Sequence, residues 1–151
     1  MTDRGRSRAR ALVGAYRRGG LPAVRPAFWA ARAVRSVRAQ LSRRTMDDIR
    51  LPGPPDVAAA HPGVVRGVLR RTGANCSERC LVLQRWYGGQ RVARTVVIVV
   101  TAPSSGFHAH AWLDGDSDAE REAMVEILRR PVPPAWLTPR RGAAEAWAGR
   151  R

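Results

Sequence analysis

Apolar residues at Ala30, Val34, Val37 and Leu41 recur at i, i+4, i+7 and i+11, with Arg32, Arg35, Arg38 and Arg43 between them. That spacing lines one side of a helix and predicts an amphipathic α-helix starting near Pro26, with a shorter helix over residues 9–17 before it. The run Leu51-Pro-Gly-Pro-Pro55 then interrupts any helix. Beyond it, Val64, Val65, Val68 and Leu69 make a second apolar helical face that stops at Thr72-Gly-Ala-Asn75. A further helix starts at Cys76, carries Leu81, Val82, Leu83 and Trp86, and ends at Gly88-Gly89.

From Val92 the period changes. Residues 95–101 are a short β-branched run, which predicts a buried strand. Pro103-Ser-Ser-Gly106 reads as a turn. In the strand predicted over 107–113, Phe107, Ala109, Ala111 and Leu113 share one face, and His108, His110 and Trp112 share the other. Half of the twelve acidic residues fall within 114–126. Residues 124–128 then suit a third strand, completing an antiparallel meander. Pro131, Pro133 and Pro134 close the regular structure, and residues 143–151 suit a frayed helix.

With 151 residues, 44% of them apolar, the chain is sized for one core and is too short for two enzymatic domains. All 27 basic residues are Arg, against 12 acids, for a net charge of +15. A chain rich in Arg, Ala, Gly and Pro but free of Lys is what a GC-rich genome produces, so part of this charge is compositional. It is also uneven: residues 1–50 carry 13 Arg and three Asp, whereas the remainder carries 14 Arg and nine acids. Two regions are therefore expected, an Arg-rich helical N-terminal extension over 1–50 and the functional domain over 51–151. No stretch approaches the roughly 20 apolar residues of a membrane span, and the arginines of the N-terminus lack a following apolar segment. A cytoplasmic location without a membrane span is the expectation. Cys76 and Cys80 would then stay as thiols.

A helix N-terminus points free backbone N–H groups and the positive end of its dipole at a sulfur, which favours the nucleophilic thiolate. Cys76 is so placed; Cys80, one turn further on an apolar face, reads as a small buried hydrophobe. A thiol nucleophile needs a base, and an imidazole on a neighbouring strand supplies one. His108 and His110 are the downstream candidates, His61 reading as punctuation before Pro62.

Cys76-Ser-Glu-Arg79-Cys80-Leu81-Val-Leu, followed 34 residues after Cys76 by His110-Ala-Trp112-Leu-Asp114, resembles the transglutaminase-like cysteine peptidases of lasso-peptide biosynthesis. These maturation proteins remove a leader, and their prototype processes a microcin precursor. The resemblance covers about residues 51–134. It implies an α+β, papain-like core with the Cys helix packed on an antiparallel sheet that carries the histidine. It further implies Cys76 as nucleophile and His110 as general base. Cys80 departs from the family pattern, standing where Ser or Ala is more usual.

A carboxylate orienting the imidazole would complete such a site. Asp114 lies on the histidine's strand but four residues away, about 13 Å, and does not reach. The spacing in related sequences lands on Glu122, whereas a hairpin turning near Ser117 and Asp118 favours Glu126, which is preferred. The Cys76 backbone N–H is one expected oxyanion donor, with Asn75 as a guess for the second. No metal and no cofactor are expected. The partners implied are the precursor's leader, a separate small leader-recognition protein and, as a further candidate, the ATP-dependent cyclase.

Rival readings use the same residues. Two thiols at i, i+4 and His-x-His on a strand face would suffice for a structural zinc in a non-catalytic basic binding module, though the spacing is not a common one. Asp114-Gly-Asp116-Ser-Asp118 resembles the start of a calcium loop, yet Ala119 and Val125 stand where Gly and Glu are needed. The arginines form no recognition motif, so nucleic acid is not an expected partner. A docking surface for an acidic protein or peptide suits the charge better.

Overall fold

The computed structural model describes residues 3–56, 61–101, 106, 108–115 and 124–137. The elements in order are α1 (Asp3–Leu41), α2 (Pro62–Arg71), α3 (Cys76–Gly89), β1 (Val96–Thr101), β2 (Ala109–Leu113) and β3 (Met124–Arg130), followed by a 3-10 turn at Pro134–Trp136. The architecture is α+β, as the change of period near residue 92 predicts. The helix expected over 143–151 lies outside the described residues, as do Phe107, Glu122 and the segment 116–123.

Where the sequence predicts two N-terminal helices, one helix runs through Pro22 and Pro26. Each proline removes a backbone donor and would break an isolated helix. Here the buried stripe of Ala23, Ala27, Ala30, Val34 and Val37 keeps its phase across Pro26, itself buried. Packing of that stripe against α2 and α3 offsets the lost hydrogen bonds. Its alanines let the helices approach closely.

The same core takes side chains from both sides of the boundary expected at residue 50. Ile49 and Leu51 are buried with Val65, Val68, Leu81 and Trp86. Trp29 lies 5.3 Å from Trp86 between ring centroids and donates its Nε1–H to the Pro52 carbonyl at 3.2 Å. Gln40 donates to the Arg50 carbonyl at 2.7 Å and accepts from the Arg50 N–H at 2.8 Å. The proline-rich segment is thus fastened to α1 and continues its core.

The sheet order is β2-β1-β3, not the expected meander. β3 crosses to the far side of β1, and the acid-rich segment is long enough to make that crossing. Gln84 on α3 fixes the arrangement from below. Its amide donates to the Arg94 carbonyl before β1 at 2.7 Å and to the Arg130 carbonyl at the end of β3 at 3.0 Å. The buried Arg130 guanidinium donates back to Gln84 Oε1 and lies over the Trp136 ring at 5.1 Å. Burial lowers the basicity of Arg130, with Asp47 opposing. β2 is left at the edge of the sheet.

Candidate active site

The end of α2 and the start of α3 are built to hold one residue, Cys76, at a helix tip. Gly73, at φ +60°, closes α2 with bonds from its N–H to the Arg70 carbonyl and from the Ala74 N–H to the Leu69 carbonyl. This is a Schellman stop, and glycine supplies the left-handed conformation it requires. Asn75 then caps α3: its Oδ1 accepts the Glu78 N–H at 2.8 Å while Glu78 Oε2 accepts the Asn75 N–H at 3.1 Å. The reciprocal cap uses both the Asn75 backbone N–H and its side-chain oxygen. Asn75 therefore positions the helix start, and its side-chain Nδ2 takes no part in the cap.

Glu78 is buried and does more than cap. Arg38 of α1 donates to Glu78 Oε1 from Nε at 2.7 Å and to Oε2 from Nη2 at 2.9 Å. The same Nη2 reaches the Thr72 and Gly73 carbonyls, both at 3.0 Å. One guanidinium thus ties α1, the last carbonyls of α2 and the first turn of α3 together. The hydrogen bond to Glu78 raises the basicity of Arg38 against a smaller desolvation. Periodicity reads Arg38 as a solvated flank of an amphipathic helix and misses this clamp. The Asn-x-x-Glu capping box was the legible signal.

Cys76 stands half-buried at the first position of α3, and Cys80, one turn on, is buried; neither forms a disulfide. They open onto a cleft of about 360 Å³ that β2 lines with His110, Ala111 and Trp112. The structure therefore brings Cys76 and His110 to one cavity. The Trp112 ring, 6.1 Å from the imidazole between centroids, lies on the same strand face. His108 is exposed and outside the lining.

Register shows what the edge of β2 offers. The Thr101 N–H bonds to the His108 carbonyl and the Asp114 N–H to the Thr95 carbonyl. By alternation, His110 and Trp112 also turn their backbone groups toward β1. Ala111, opposite Ile98, turns its N–H and C=O outward, and among the described residues no strand pairs with that side. Among the described residues, a main-chain edge thus lies open where Ala111 lines the cleft with Cys76.

The sheet order does not bring Glu126 beside His110. Val99 pairs with His110 on one side and with Glu126 on the other, so the two lie on one row but two strand spacings apart, about 10 Å. Glu126 is exposed and ion-paired with Arg129 at 2.6 Å. The hairpin that favours Glu126 from sequence presumes β2–β3 pairing, which the crossover replaces. Asp114 is occupied structurally: its carboxylate accepts the Thr95 N–H at 2.7 Å, and its backbone carbonyl accepts from Arg94 Nη1 at 2.6 Å. Among the described residues no group of three His, Cys, Asp or Glu is placed to hold a metal ion, so Cys76, Cys80, His108 and His110 form no zinc cluster.

An α+β core in which a cysteine at a helix tip and a histidine on an antiparallel sheet line one cleft is an arrangement suited to thiol chemistry. The family comparison agrees: residues 19–128 match the model of the transglutaminase-like superfamily, and the chain belongs to it. That superfamily includes cysteine peptidases and transferases. The match begins well inside α1, so the packed part of that helix falls within it. No curated protein and no solved structure matches the chain. Among the described residues no helix is long and apolar enough to cross a membrane.

Proposed function

We propose that the protein is a cysteine peptidase that removes the leader from a ribosomally made lasso-peptide precursor, with Cys76 as nucleophile and His110 as base. The observation that carries the peptidase reading is the shared cleft: a thiol at a helix tip, an imidazole, and an open strand edge together. An extended peptide laid along β2 finds the Ala111 N–H and C=O as main-chain partners and presents a carbonyl to the thiol. The leader and lasso assignment rests on the Cys76-Ser-Glu-Arg79 and His110-Ala-Trp112 motifs.

The steps balance on these two side chains. His110 takes the Cys76 proton, and the thiolate sulfur adds to the scissile carbonyl carbon. The C–N bond breaks as His110 returns the proton to the departing amine, leaving a thioester. Water, deprotonated by His110, cleaves the thioester, releases the acid and restores the thiol. The α3 N-terminus faces the developing oxyanion, with the Cys76 backbone N–H as donor. Glu126 lies across Val99 in its own ion pair, so this reading runs on a Cys–His pair. A separate recognition protein would deliver the leader, and the ATP-dependent cyclase would take the freed core.

The test uses the full chain, a precursor peptide carrying a leader, and mass spectrometry. Wild type is expected to make one cut. C76A should abolish it, and H110A should slow it by about 10²- to 10⁴-fold. E126Q should stay within about twofold of wild type, because Glu126 does not touch the reacting atoms. A cut that survives C76A would overturn the reading.

A further inference from the structure

Arginine dominates α1, the helix that packs against both α2 and α3. Ten of its 39 residues are Arg and one, Asp3, is acidic, while α2 beside it has no acid. Composition accounts for the number of these charges but not for where the fold puts them. From Ala23 to Leu41 the inward stripe of α1 is buried in the core, and Arg25, Phe28, Arg32 and Arg35 lie exposed on the other side. Steps of three, four and three residues keep these four on one line along the helix, about 15 Å from end to end.

The line differs from the next turn of the same helix. There Arg38 meets Glu78, whereas among the described residues no acid pairs with Arg25, Arg32 or Arg35. Phe28 is 57% exposed between Arg25 and Arg32, with half-buried Val24 and Ala31 one turn before and after it. A lone exposed aromatic is ordinary on a surface. This one is the apolar centre of a cationic rim, and aromatic and Arg side chains around an apolar centre are the anatomy of a protein interface.

The same features disfavour other polyanions. A helix lying in a membrane surface needs a broad apolar face toward lipid, and α1 buries its apolar face in the core. A single-stranded nucleic acid is gripped in a groove by successive aromatic platforms, and here one Phe stands on a convex helix. An acidic peptide segment needs only cations about one and two turns apart and one apolar anchor between them. We propose that the exposed line of α1 is a docking surface for an acidic protein segment that carries an apolar side chain among its carboxylates. None of its four residues lines the cleft of Cys76, so the docking surface stands or falls separately from the peptidase reading.

The test titrates the full chain into a fluorescein-labelled peptide of about 15 residues, built of Glu and Ala with one central Leu, and reads anisotropy. Saturable one-to-one binding is expected, weakening as salt rises from about 0.05 to about 0.3 M. F28S should raise Kd about fivefold, and R25Q/R32Q about threefold or more. All three side chains are exposed, so circular dichroism should not change. R71Q/R91Q removes the same charge from exposed positions outside α1 and should shift Kd by less than about twofold. A peptide with Ser in place of the central Leu should bind wild type as weakly as F28S binds the first peptide, and F28S should weaken it no further.

Absence of binding, binding unaffected by F28S or by R25Q/R32Q, or independent addition of the F28S and Leu-to-Ser losses overturns the docking surface. Equal losses in R25Q/R32Q and R71Q/R91Q also overturn it, since net charge alone would then be acting. An oligothymidylate of about 15 nucleotides and phosphatidylglycerol vesicles are titrated alongside. Tighter binding of either, weakened by F28S and R25Q/R32Q, would overturn the acidic segment and assign the line to nucleic acid or lipid.

Discussion

Arg38 and Glu78 are 40 residues apart in sequence, yet a single bidentate contact between them holds the helix tip on which Cys76 stands. Arg38 is largely solvated and Glu78 is not, so breaking the pair strands the carboxylate more than the guanidinium. Glu78→Ala removes cap and clamp together and is expected to cost about 1–3 kcal/mol, read from the urea midpoint. Arg38→Ala should cost less. Because Arg38 is more basic in the folded state, its contribution is fully present below its unfolded value and is lost only as pH rises through strongly alkaline values. The gap in midpoint between wild type and R38A should therefore be equal at about pH 6 and about pH 9. At this scale the sequence places Cys76 at a helix start and His110 on a strand, because a helix start and a strand face are local patterns. The clamp and the true distance to Glu126 depend on pairings far along the chain, which local pattern does not carry.

Glycines mark where elements meet, and two of them separate backbone strain from steric strain. Gly73 ends α2 at φ +60° with open space around it, so Gly73→Ala meets only the left-handed conformation and should cost about 1 kcal/mol. Gly89 is helical, where Ala is ordinarily favoured, but an added Cβ would fall 2.1 Å from Pro54 Cγ. Gly89→Ala is therefore expected to destabilise, by about 1–3 kcal/mol, through displacement of the Pro54 segment. Thermal unfolding of both variants checks the pair. Helix and strand positions after residue 61 were readable from period alone: the start at Cys76 and the strand beginning near Val96 both hold. The passage of α1 through Pro22 and Pro26 and the β2-β1-β3 order were not. Both are decided by tertiary packing, the first by the Ala-rich stripe and the second by the Gln84–Arg130 link.

Across the whole molecule, the Arg-rich N-terminal region and the rest share one hydrophobic core, which charge counting alone divides at residue 50. Deleting residues 1–41 would remove Ala23, Ala27, Ala30, Val34 and Val37 from that core, and with them Arg38. Such a truncation is expected to lose cooperative unfolding and near-ultraviolet dichroism, leaving Cys76 and Cys80 equally open to alkylation. Composition correctly sizes the chain for a single core. It gives no sign of which arginines are structural, like Arg38 and Arg130, and which line the cleft.

The outer edge of β2, which no strand among the described residues covers, carries a liability as well as an opportunity. Any extended chain can add to such an edge, including the β2 of another copy of this protein. Between two copies, however, two chains each of net charge +15 would meet, and like charge opposes the pairing. Salt that screens this repulsion should raise the apparent mass in light scattering, so concentration and ionic strength need to be fixed together when this protein is handled.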